Sequence, residues 1–127
     1  MRHLTLLVLF IGTLHAQQRV LFIGNSYTAA NNLPTMVATI ASSANQSLVC
    51  SQQTLGGATF YQHSQSNATY AKLASQNWDY VVLQAQSQEP SFPYSQFSWQ
   101  TLPYAIELVD SIRSLAPCAK PVFFRTW

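Results

Sequence analysis

The chain has 127 residues, is 48% hydrophobic and only 8% charged, and carries a formal net charge of +2. That is room for one small domain, with far fewer charges than the rough quarter usual in soluble proteins. A charge this small and unpatterned offers no basic stripe, which removes nucleic acid as an implied partner.

The first sixteen residues read as a secretory signal. Arg2 and His3 form a basic start, residues 4–14 an apolar core too short to span a bilayer, and Ala16 precedes the cleavage point. The mature chain, 17–127, then begins near Gln17, and no later segment is apolar enough to cross a membrane. A surface made polar by Ser, Gln, Asn and Thr suits a secreted or periplasmic protein.

Four strands are predicted, at residues 19–24, 47–54, 79–84 and 121–126. The first, third and fourth are continuous apolar runs, as in parallel strands covered on both faces. A first helix is predicted from about Asn32, with Pro34 in its first turn and Met36, Val37, Ile40 and Ala41 on one side. A second falls between residues 59 and 76, with a break around Ser66-Asn67. A third covers residues 98–116, where Leu102, Ala105, Ile106, Val109, Ile112 and Leu115 recur at helical spacing. Pro103 implies a later first turn or a kink there. Strands alternating with helices predict an open parallel sheet. The last strand reads as a buried one, so the domain is expected to continue past Trp127. Cys50 and Cys118 either pair, as exported cysteines can, or are simply buried.

The chemistry centres on RVLFIGNSYT, residues 19–28. An apolar strand that stops at a glycine and leads into a polar turn delivers a side chain to the carboxyl edge of a parallel sheet, where ligands bind. Here that side chain is Ser26. A serine hydroxyl becomes a nucleophile only with a base to take its proton and donors to receive the oxyanion. Gly56-Gly57 follows the second strand, where glycine lets a backbone N–H approach a ligand. Gln84 and Gln86 stand at the end of the third, and an amide donates a hydrogen bond without bringing charge. Each has a plainer alternative: Ser26 and Thr28 as helix caps, the glycine pair as a tight turn, Gln84 as a strand-end amide bonded to backbone. The aromatic residues from Trp78 to Trp99 read as packing, although the 91–99 loop follows the third strand and is placed to line a site. No cluster has metal-ligand spacing and no glycine loop cradles phosphate, so no metal or cofactor is expected. A flavodoxin-like nucleotide or flavin site is disfavoured for the same reason.

GNSYT at 24–28 resembles the first block of the SGNH (GDSL-type) hydrolases, with Asn25 where aspartate is commonest. Gly56 or Gly57 in LGGATF is similar to the glycine of their second block. WDYVVLQAQSQEP, 78–90, resembles the Gln-containing variant of the third block found in carbohydrate O-acetylesterase branches, and VFFRTW resembles the segment that follows. The resemblance implies a three-layer α/β/α sandwich with a flavodoxin-like parallel sheet. It implies ester hydrolysis, with a small ester or acetylated carbohydrate as substrate. Ser26 would be the nucleophile. Its N–H, the Gly57 N–H and the Gln84 amide would hold the oxyanion, with Gln86 as second choice for the amide. Asn25, Gly56, Gln86 and His63 are the candidate substrate contacts. The Asp-x-x-His block that supplies the base in this superfamily has no match before Trp127, so residues 17–127 alone are expected to be essentially inactive. Asp79 opens a strand on the wrong edge, Asp110 lies within a helix, and His3 and His15 leave with the signal. A glycan-binding domain without catalysis, on the same fold, is the alternative.

Overall fold

The computed structural model describes residues 16–125. The signal reading, apart from Ala16, and the last two residues lie outside them. Four strands form one parallel sheet: β1 (Gln18–Gly24), β2 (Leu48–Thr54), β3 (Tyr80–Gln84) and β4 (Lys120–Phe124), in the order β2-β1-β3-β4. The chain leaves β1 for one neighbour, β2, and then crosses to place β3 on the other side. The gap between the carboxyl ends of β1 and β3 is therefore a topological switch point, the place where open parallel sheets bind ligands.

Six helices connect the strands: α1 (Ser26–Ala29), α2 (Leu33–Ser43), α3 (Phe60–Ser64), α4 (Asn67–Leu73), α5 (Tyr94–Gln100) and α6 (Leu102–Leu115). Alternation along β1 and β3 sends Leu21, Ile23, Val81 and Leu83 to one face, where Phe60, Leu73, Ala105, Leu108 and Ile112 from α3, α4 and α6 close the core over them. Trp78 is the largest side chain in it, and its indole N–H donates to Leu73 O at 3.1 Å. The opposite face buries Val20 and Phe22, and α2 packs there against β2.

The expected elements form, and two more join them. Of the two readings of Pro103 the later first turn holds: α5 and α6 are separate, divided at Thr101, with Pro103 in the first turn of α6. Two helices absent from the sequence reading, α1 and α5, occupy the turn after Gly24 and the aromatic loop. Within the described residues β4 lies at the edge of the sheet, with Val122, Phe123 and Phe124 exposed. Both cysteines are free. Cys50 lies on β2 and Cys118 just before β4, at opposite edges of the sheet. Three strand spacings, about 14 Å, separate them, far beyond disulfide reach.

Candidate active site

Ser26 sits at the switch point, exposed, as the first residue of α1. Asn25 is the N-cap of that helix: its Oδ1 accepts from the Tyr27 N–H at 3.0 Å, and its Nδ2 donates to Ala58 O at 3.2 Å. One amide thus caps the helix and ties the Ser26 turn to the loop after β2. In that loop Leu55 to Ala58 form a β-turn, with Ala58 N–H donating to Leu55 O at 3.2 Å. Gly57 takes the third position at φ +66°, a left-handed conformation that calls for glycine. Gly56 and Gly57 are both exposed. On the other side of Ser26, Gln86 follows β3 and is half-buried; its N–H donates to Glu89 Oε2 at 3.0 Å.

Beneath the turn lies a network of uncharged groups. Ile23 and Leu83 are the last paired residues of β1 and β3, and one step further stand Gly24 and Gln84. The missing side chain of Gly24 leaves room for the Gln84 amide to fold back. Gln84 Oε1 accepts from the Asn25 N–H at 3.0 Å and from the Thr28 hydroxyl at 2.9 Å, while its Nε2 donates to Ala85 O. A Cβ on Gly24 would lie 2.6 Å from Gln84 Oε1 and closer still to Thr28 Oγ1. His63, on α3, supports the same glycine: its Nε2–H donates to Gly24 O at 2.9 Å, and its Nδ1 accepts from the Thr69 hydroxyl at 3.0 Å. The carbonyl only accepts, so the proton is on Nε2.

Three sequence expectations are corrected by these placements. Gln84, 1% exposed, is committed to the turn, so its amide does not reach the crevice. Asn25 is buried with both ends of its amide bonded to the chain and has no surface for a substrate. His63 is 0% exposed with both ring nitrogens bonded; it supports the strand end from below and faces no crevice. Thr28, which the sequence reading took only for a cap, is fully buried and bridges α1 to Gln84. No described side chain accepts a hydrogen bond from the Ser26 hydroxyl. Asp79 stands at the opposite edge, where its Oδ2 accepts from the Arg19 N–H at 2.7 Å.

The sequence reading also passed over Glu89. Its carboxyl is 1% exposed; Oε2 holds the Gln86 N–H and Oε1 accepts from the Thr101 hydroxyl at 3.1 Å. Burial pushes this carboxyl up, against the opposing pull of those hydrogen bonds and one from the Phe60 backbone. Burial pushes the His63 imidazole down, and the bond to Gly24 only partly offsets it.

The His63 shift gives a stability test. A depressed imidazole binds its proton less readily folded than unfolded. Its contribution is present above the unfolded value of about 6.5 and is lost as pH falls through the lower folded value. Glu89 acts with the opposite sign, since a raised carboxyl loses stability as pH rises through it. The measurement is therefore the difference in urea midpoint between the wild type and His63→Gln, followed downward from about pH 7.5. That difference is expected to shrink steadily in acid. A constant difference would contradict a buried neutral His63.

The fold is SGNH hydrolase-like, and solved structures similar to it include two. One is a protein from Slackia heliotrinireducens described as "a putative SGNH hydrolase", 28% identical, with a TM-score of 0.64 over 87% of this chain and 57% of that one. The other is a DUF4886 family protein from Bacteroides uniformis, 20% identical, with a TM-score of 0.69 over 88% of this chain and 51% of that one. The resemblance read from GNSYT and the Gln-containing third block is thus met at the level of the fold. The chain spans little more than half the length of these two structures. No protein-family model and no curated protein matches it. Among the described residues no group of His, Cys, Asp or Glu is placed to hold a metal ion. No described helix is long and apolar enough to cross a membrane.

Proposed function

We propose that this chain carries the nucleophile-bearing part of an exported serine hydrolase that cleaves a small acyl ester. The observation that carries the reading is the exposed Ser26 at the β1/β3 switch point, on a turn held from below by the bonded side chains of Asn25, Thr28, Gln84 and His63. In this mechanism Ser26 Oγ attacks the ester carbonyl carbon while a base takes its proton. The negative charge that develops on the carbonyl oxygen is met by the Ser26 and Gly57 N–H groups. Gln86 replaces Gln84 as the side-chain donor, because Gln84 is committed beneath the turn. Gln86 Oε1 accepts from the Gln88 N–H at 2.6 Å, which leaves its amide nitrogen as the donor. Collapse of the tetrahedral intermediate expels the alcohol and leaves the acyl group on Ser26, and water then releases the acid.

His63 does not serve as the base, since its Nδ1 and Nε2 are both bonded under the sheet edge. Residues 17–127 alone are accordingly proposed to be essentially inactive, because losing the base of such a site costs several orders of magnitude in rate. The test is to treat the native gene product with a fluorophosphonate probe and locate the adduct by mass spectrometry. An adduct on Ser26, absent in Ser26→Ala, is expected. No adduct, or one on another serine, would overturn the reading.

A further inference from the structure

Beside the Ser26 crevice, at the same carboxyl edge of the sheet, a cleft of about 560 Å³ opens between the start of α3, the end of α5 and the start of α6. That is within the ~300–1,000 Å³ typical of small-molecule sites. We propose that this cleft binds a neutral sugar ring through the faces of Tyr61, Trp99 and Tyr104 and the amide nitrogens of Gln62 and Gln100.

Three features argue for that ligand. The walls present aromatic surface that the described residues leave uncovered: Trp99 is 66% and Tyr61 50% exposed, and the Tyr61 and Tyr104 rings meet edge to face at 4.9 Å. Exposed rings held in place by each other suit the flat C–H face of a pyranose. Second, both lining amides have their oxygens occupied within the protein. Gln62 Oε1 accepts from the Thr59 N–H at 2.9 Å, completing the α3 capping box, and Gln100 Oε1 accepts from Gln96 Nε2 at 2.9 Å. Each amide nitrogen remains as a donor on the wall, suited to the hydroxyl oxygens around a sugar's rim. Third, the lining has no cation, and its single acid is Glu89, buried and bonded to Gln86 and Thr101. Phosphates, carboxylates and amines therefore find no opposite charge, and a purely apolar chain would leave the two amides unpaired.

The cleft does not include Ser26, and the proposal does not depend on Ser26 being a nucleophile. The same chain, as wild type and as Ser26→Ala, is titrated with cellotetraose, xylotetraose and chitotetraose, followed by NMR and Trp fluorescence. At least one tetrasaccharide is expected to bind both proteins alike, with a dissociation constant of about 5 mM or below, and to shift the Tyr61, Trp99 and Tyr104 resonances. Trp99→Ala is expected to weaken that binding by about tenfold. Trp99 is so exposed that its loss leaves folding intact; Gln100→Leu gives a second, independent reduction. The proposal is overturned if none of the three sugars binds, or if Trp99→Ala and Tyr61→Ala both bind like the wild type. It is equally overturned if phenol or phosphatidylcholine vesicles occupy the cleft and the sugars do not. A missing fluorophosphonate adduct together with intact sugar binding would remove the esterase reading and leave this site standing.

Discussion

Gln84→Ala is expected to remove about 2–5 kcal/mol of stability and to lower Tm by about 10–20 °C. The native amide oxygen accepts from the Asn25 N–H and the Thr28 hydroxyl, and alanine leaves both donors buried without partners. Each orphan costs about 1–3 kcal/mol, and a domain this small has a total of only about 5–15 kcal/mol. Gln84→Glu separates lost bonding from lost volume. A carboxyl keeps both accepting contacts and, when protonated, restores a donor toward Ala85 O. Buried there, its pKa is raised, so its stability is held at low pH and lost as pH rises through that value. Thermal melts across pH should show Gln84→Glu near the wild type in acid and well below it at neutrality. A flat difference, or a Gln84→Ala loss below about 1 kcal/mol, would refute the account.

Gly24→Ala is the second large effect, expected to cost about 2–4 kcal/mol. The added methyl would meet Gln84 Oε1 and Thr28 Oγ1. Such contacts are relieved cheaply when the opposing atom ends a free side chain. Here both atoms belong to one bonded network, and Gly24 O is itself held by His63 and by the Leu55 N–H. The signature is non-additivity. In a Gly24→Ala/Gln84→Ala double variant the amide is already gone, so urea unfolding should show a combined loss smaller than the sum of the singles by about 1 kcal/mol or more. Strict additivity would mean that the Gln84 amide is not what the methyl meets.

The frame of the fold was legible because apolar runs and their punctuation are local. Residues 19–24 and 79–84 lie within a residue of β1 and β3, and the break at Ser66-Asn67 separates α3 from α4. Ser26 was legible for the same reason, as the polar residue just past a strand-ending glycine. What was hidden depends on pairing across the sheet. Gln84 and Gln86 look alike in LQAQSQ, and only the register of β3 against β1 places Gln84 beside Gly24 and sends its amide downward. His63 follows a glycine pair and reads as a crevice residue until α3 turns it under the sheet edge. Ser26–Ala29 and Tyr94–Gln100 are too short to show a clear helical period.

The turn that holds Ser26 is fastened by dipoles: amides, a hydroxyl, carbonyls and one neutral imidazole. Dissolved salt has almost nothing to screen in such an assembly. Down to the pH at which His63 gains a proton, nothing in it titrates. Above that point the position of Ser26 is therefore independent of pH. A pH–rate profile measured at this serine would then report the base and the substrate, with the scaffold as a fixed reference.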